Sequence, residues 1–122
     1  MAGLAGGNRL FVYGTLRSEF ENPYARRLRS AALLLGTATV SGAIFDLGRY
    51  PGYRSDLPGQ VTGELYEMRE RDGLLAVLDD YEGPEYRRIL IHTAEFGPAW
   101  IYELVVVPSN APQILSGDYL TQ

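Results

Sequence analysis

Acid–base chemistry in this chain falls to carboxylates and tyrosines, because most other catalytic side chains are scarce. The 122 residues contain no Cys, no Lys and a single His, His92; all eleven basic residues are Arg. Without Cys there is no thiol nucleophile or thiolate metal site, and without Lys there is no Schiff base. One His cannot build a multi-histidine metal site. If the protein is an enzyme, its proton transfers therefore depend on one of fifteen acidic residues or nine tyrosines.

One carboxylate, Glu82, is placed by helical periodicity on an apolar face. Residues 70–81 predict a helix whose apolar face consists of Leu74, Leu75, Leu78 and Tyr81. At about 100° per residue, Glu82 falls between Leu78 and Leu75, whereas Asp80 falls on the opposite side. Burial and the negative end of the helix would both raise the pKa of Glu82 toward neutrality, where a carboxyl group can accept and return a proton. The alternative is a solvated residue at a frayed helix end.

A tight turn after the first predicted strand is the second candidate. Tyr13-Gly14-Thr15-Leu16 ends that strand, and a glycine there lets backbone N–H groups approach a ligand closely. The turn matches no Walker or dinucleotide pattern, so an ordinary turn is the alternative. His92 is predicted to be an edge or surface residue, and no metal or cofactor is expected.

The elements that must position these residues predict an α+β fold. A leader, 1–8, precedes a single domain, 9–122. Predicted strands cover 9–13, 37–45, 61–66, 86–94 and 99–107; helices cover 23–35 and 70–81; a turn at 48–52 leads into an irregular loop, and a tail covers 108–122. Without regular β-α-β alternation, we expect a small, mostly antiparallel β-barrel or curled sheet flanked by helices.

The composition argues against two classes of partner, nucleic acids and membranes. A net charge of −4 and a pI near 4.9 speak against nucleic acid. No apolar run approaches the roughly 20 residues of a membrane span, and the first residues lack a secretory signal pattern. We expect a cytoplasmic protein that binds a small molecule and neither nucleic acid nor membrane. A monomer is the default and a dimer stays open.

The ordered motifs resemble those of the gamma-glutamylcyclotransferase-like superfamily, in its small bacterial form related to gamma-glutamylamine cyclotransferases. Four blocks carry the resemblance: Leu10–Leu16 with its YGTL turn, Asp46–Gly52, Val61–Tyr66, and Leu78–Gly83 followed by Tyr86-Arg87-Arg88. Each block alone is weak, but the ordered set covers nearly the whole chain from Leu10.

The resemblance implies a β-barrel flanked by helices, with the substrate at the YGTL turn. It also implies that Glu82 is the catalytic acid–base and that the α-amine of a gamma-glutamyl amide attacks its own γ-carbonyl, releasing 5-oxoproline and an amine. Tyr13, Tyr50 and Tyr86 would wall the pocket, and the N–H groups of Gly14, Thr15 and Leu16 would bind the substrate.

Two alternatives remain at this point. A non-catalytic module could recognise a gamma-glutamyl or other amino-acid-like ligand in the same pocket. The same mechanism could also act on an unusual substrate, such as a gamma-glutamylated biosynthetic intermediate.

Overall fold

A curled five-stranded sheet, a two-stranded hairpin and two helices form the fold. The computed structural model describes residues 7–121. The strands are β1 (Arg9–Val12), β2 (Ala32–Ser41), β3 (Ala43–Asp46), β4 (Pro51–Arg54), β5 (Gln60–Met68), β6 (Tyr86–Thr93) and β7 (Gly97–Leu104); the helices are α1 (Pro23–Ala31) and α2 (Arg71–Glu82). A short 3₁₀ turn covers Tyr119–Thr121. The predicted α+β class is confirmed.

The sheet has the order β2-β5-β1-β7-β6. Its neighbours pair antiparallel except β1 and β7, which are parallel, while β3 and β4 form the separate hairpin. The outer strand β2 curls back toward the turn between β6 and β7. There the Ala94 N–H donates to the Thr39 carbonyl (3.1 Å), and the Glu95 carboxylate accepts from the Thr39 N–H and hydroxyl (2.9 Å each). A barrel is therefore an approximate description of this curled sheet.

Two apolar clusters lie on opposite faces of β1, because successive side chains of a strand point to opposite sides. Leu10 and Val12 pack with α1 and α2, whereas Phe11 and the following Tyr13 pack inside the curl. The first cluster includes Leu28, Tyr66, Leu74, Leu75 and Leu78; the second includes Ile44, Tyr53, Leu65 and Ile101. Strand β1 is thus packed on both faces, and this packing fixes the position of the residues that follow it.

Helix α1 is shorter than its periodicity predicts. The expected cap is present, since the Asn22 carboxamide oxygen accepts from the Ala25 N–H (2.8 Å) and Pro23 opens the first turn. The helix ends at Ala31, however, and 32–35 are the first residues of β2, paired with β5. An unbroken apolar run suits either a helix or a strand, and here pairing with a neighbouring strand decides the outcome.

Two further expectations were wrong in detail. The predicted strand 37–45 is split at Gly42, whose φ of 135° lies in the region that favours glycine. The region expected to be turn and loop contains β4, although Pro51 and Gly52 disfavour strands. A side chain at Gly52 would collide with Leu104, so close packing against β7 requires the glycine.

The first described residues and the tail segment around Ile114 pack against the strands. The predicted leader, 1–8, lies outside the described residues except for Gly7 and Asn8, whose carbonyl accepts from the Met68 N–H (2.7 Å). In the tail, Ile114 is buried and its N–H donates to the Ile44 carbonyl (2.9 Å). No helix within residues 7–121 has the length and apolar character needed to span a membrane.

Candidate active site

A cavity of about 180 Å³ opens where β1 ends. Its walls are formed by Phe11, Val12, Tyr13, Gly14, Thr15, Leu16, Tyr50, Pro51, Tyr81, Glu82, Glu85, Tyr86 and Tyr102. All seven candidate residues from the sequence lie on it: Tyr13, Gly14, Thr15, Leu16, Tyr50, Glu82 and Tyr86. They come from four separate parts of the chain, which the fold brings together.

Two hydrogen bonds to its carbonyl groups fix the turn after β1. The Arg17 N–H donates to the Gly14 carbonyl (3.0 Å), and the side-chain amide of Asn22 donates to the Thr15 carbonyl (2.8 Å). Within residues 7–121, the N–H groups of Gly14, Thr15 and Leu16 donate to no protein acceptor. A Cβ at Gly14 would lie 2.7 Å from Cγ of Pro51, so only glycine fits here without displacing β4. The turn therefore offers backbone donors beside the cavity.

Glu82 is the last residue of α2 and belongs to its regular helical turn. The helical wheel is confirmed, because Leu74, Leu75 and Leu78 are buried while Asp80 is exposed. The Glu82 side chain is partly buried, and within the described chain its carboxylate forms no hydrogen bond or ion pair. Burial raises its pKa from 4.5 to about 7, and the negative charge of Asp79 adds to the rise. The frayed, solvated alternative is therefore wrong.

Asp79, one helical turn before Glu82, has the opposite environment. The Arg88 guanidinium donates two hydrogen bonds to its carboxylate (2.9 and 3.1 Å), and the Tyr102 hydroxyl donates a third (2.6 Å). The hydrogen bonds from Arg88 hold the pKa of Asp79 below its ordinary value, with Tyr102 adding to the effect. Two carboxyl groups on one helix thus have pKa values moved in opposite directions, an arrangement typical of acid–base sites.

The tyrosine hydroxyls mostly serve the architecture of the cavity. Tyr13 donates to the Tyr102 carbonyl (2.7 Å) and accepts from the Tyr53 N–H (3.1 Å), so its hydroxyl joins β7 to β4. Tyr86 donates to the Pro51 carbonyl (2.8 Å). Their rings form the cavity wall while their hydroxyls fix the strands behind it.

Sequence reasoning missed several lining residues. Periodicity places Tyr81 only on the apolar face of α2, yet its hydroxyl lies 3.0 Å from the Thr15 hydroxyl. Tyr102 lies on β7, and the composition around Pro51 predicts a turn where the structure has β4. Glu85 lies three residues after Glu82, just beyond the end of α2. This short spacing is the sequence signal that could have placed Glu85 on the same cavity. The other contacts depend on strand pairing, which the sequence does not display.

His92 is exposed on β6 and does not line the cavity, as expected. No group of three or more His, Cys, Asp or Glu side chains among the described residues is arranged to hold a metal ion. The titratable side chains that residues 7–121 place on the cavity lining are those of Glu82, Glu85 and five tyrosines.

Several solved structures share this fold. The structure is similar to PH0828 of Pyrococcus horikoshii (TM-score 0.75, 28% identity, covering 91% of this chain and 88% of that one). It is also similar to YtfP of Escherichia coli (TM-score 0.72, 34% identity, 93% and 96%) and to an AIG2-like protein of Mus musculus (TM-score 0.67, 26% identity, 84% and 80%).

A search of the curated proteins finds no match. The family model described as "Gamma-glutamyl cyclotransferase, AIG2-like" matches residues 10–121, so it spans β1 through the 3₁₀ turn and includes every wall of the cavity. The chain therefore belongs to the gamma-glutamyl cyclotransferase, AIG2-like family.

Proposed function

We propose that this protein is a cyclotransferase that cleaves a gamma-glutamyl amide into 5-oxoproline and an amine. The observation that carries the proposal is the partly buried carboxylate of Glu82, which has no partner among residues 7–121 and lies on the same cavity as the N–H groups of the Gly14 turn. Glu82 would supply a proton carrier and the Gly14 turn an anion-binding surface. The reaction requires no nucleophile from the protein, because the substrate provides its own.

In the proposed reaction the substrate provides its own nucleophile. The α-nitrogen attacks the γ-carbonyl carbon, a new C–N bond closes the five-membered lactam, and the C–N bond to the leaving amine breaks. Of the three hydrogens on the α-ammonium group, one stays on the lactam nitrogen and two end on the leaving nitrogen. No co-reactant is consumed. The reaction therefore does not require a Cys or Lys nucleophile, neither of which this chain contains.

Glu82 is the proposed carrier of both protons. A pKa of about 7 gives a useful fraction of carboxylate near neutral pH and also a carboxylic acid strong enough to protonate the leaving nitrogen. Proton transfer by a positioned group typically contributes ~10²–10⁴-fold to the rate. Asp79 does not fit this role, because its hydrogen bonds to Arg88 and Tyr102 favour the ionised form.

The turn at Gly14 is the proposed binding surface for negative charge. Its N–H groups are fixed by backbone geometry and cost no reorganisation during the reaction, so they suit either the substrate α-carboxylate or the developing oxyanion. The rings of Tyr13 and Tyr86 narrow the cavity and favour the folded conformation that cyclisation requires.

The test is release of 5-oxoproline from a panel of gamma-glutamyl amides by the wild type and by Glu82→Gln. We expect the variant to lose at least ~10²-fold in rate, since Gln keeps the shape and cannot carry a proton. Asp80→Asn is the matched control, because it removes an exposed carboxylate from the same helix. Full activity in Glu82→Gln would refute the assignment. Ligand binding by the wild type with no product from any amide would favour the non-catalytic module.

A further inference from the structure

The cavity has a second carboxylate, Glu85, which the proposed catalysis does not use. It is exposed at the rim, where the Tyr50 hydroxyl donates to it (3.3 Å). Its backbone is anchored, since its carbonyl accepts from the Val105 N–H (2.9 Å). Within the part of the chain that the structure describes, Glu85 forms no ion pair with a basic side chain. Its negative charge is thus left for whatever enters the cavity.

The lining of the cavity is acidic; Arg49, which precedes Tyr50, lies outside the lining, although its positive charge acts on the Tyr50 hydroxyl. Glu82 and Glu85 are its only charged side chains among the described residues; the rest are aromatic, aliphatic or small. The backbone N–H groups of the Gly14 turn can bind one anionic group, and Glu85 belongs to a different segment of the chain, just after α2. A leaving group that brings its own carboxylate toward the rim would therefore meet like charge, which is unfavourable.

Two tyrosine rings of the lining lie near both carboxylates. The rings of Tyr50 and Tyr86 lie 6.3 Å apart, and both belong to the lining. Burial is the main cause of the raised pKa of each hydroxyl, and the charges of both Glu82 and Glu85 add to it. These rings therefore lie in the field of both carboxylates, and aromatic faces themselves attract cations.

We propose that Glu85 selects gamma-glutamyl amides whose leaving amine carries a second, cationic group. The inference rests on the proposed function: with the scissile nitrogen at Glu82, the remainder of the amine extends past the tyrosines to the rim. A diamine reaches Glu85 with its free ammonium, an alkylamine offers no charge, and an amino acid offers a carboxylate. Glu85 is thus a specificity residue, not a catalytic one.

A charge series tests this directly. The gamma-glutamyl amides of 1,4-diaminobutane, butylamine and 4-aminobutanoate have leaving groups of similar length with positive, neutral and negative ends. We expect kcat/KM to fall in that order, with about fivefold between the first two, the effect of one partly exposed ion pair. Glu85→Gln should reduce the differences in kcat/KM among the three amides, and Glu85→Lys should reverse their order. Asp80→Asn is the matched control and should leave the order unchanged.

Binding separates this inference from the proposed function. Dissociation constants of the three amides are measured on Glu82→Gln, with and without Glu85→Gln. If all three amides are cleaved without regard to charge, the role of Glu85 is refuted and the cyclotransferase stands. If binding follows charge through Glu85 but no product forms from any amide, the cyclotransferase fails and the selectivity stands. If neither binding nor turnover depends on charge, the selectivity is refuted outright.

Discussion

The raised pKa of Glu82 makes a prediction about stability that is independent of any substrate. A carboxyl group whose pKa is higher in the folded than in the unfolded chain binds its proton more tightly when folded. Its contribution to stability is complete below the unfolded value, 4.5, and is lost as pH rises through the folded value, about 7. Above that pH the folded protein must hold a partly buried carboxylate. Glu82→Gln removes this cost and keeps the shape.

The magnitude follows from the size of the pKa change. A rise from 4.5 to about 7 corresponds to at most about 3 kcal/mol, since one pKa unit is worth about 1.4 kcal/mol and the side chain keeps some contact with solvent. We therefore expect wild type and Glu82→Gln to have similar free energies of unfolding near pH 4. Near pH 8 the variant should be more stable by up to that amount.

Urea unfolding of both proteins at several pH values between 4 and 8 measures this difference. Contributions of other titrating groups cancel in the difference between two proteins that differ at one residue. Asp80→Asn is the control, because it removes an exposed carboxylate from the same helix. A difference that does not change with pH would refute the burial argument. An equal pH-dependent gain in Asp80→Asn would assign the effect to net charge instead.

Three further predictions concern the surroundings of the cavity. Gly14→Ala places a Cβ 2.7 Å from Pro51 Cγ, so kcat/KM should fall about 10²-fold while circular dichroism shows a folded protein; unchanged kinetics would refute the close-approach argument. Asp79→Asn removes the neighbouring charge but not the burial of Glu82, so the acidic limb of the kcat/KM profile should move to lower pH; a shift to higher pH would contradict this. Tyr13→Phe leaves a buried N–H and a buried carbonyl without partners, and should cost about 1–3 kcal/mol in urea unfolding. A stability loss within experimental error would show that these groups find other partners.

Local patterns were informative wherever the physical cause is local. The Asn22–Pro23 start of α1 follows from capping chemistry, and it is present in the structure. The amphipathic period of α2 placed Glu82 among buried leucines, because a regular helix fixes the direction of each side chain relative to its neighbours. Patterns failed where two elements compete for one segment: 32–35 suit a helix by spacing and become a strand through pairing with β5.

The order of residues was enough to predict the α+β class, the elements that carry the catalytic candidate, and the residue types available for chemistry. The surroundings of that candidate depend on how distant segments pack together. The hydrogen bonds from Arg88 and Tyr102 to Asp79, and the place of Glu85 on the same cavity as Glu82, depend on how β6 and β7 pack beside α2. Pairing between distant strands sets these distances, and the pKa of a carboxyl group depends on distance and burial, which residue order alone does not specify.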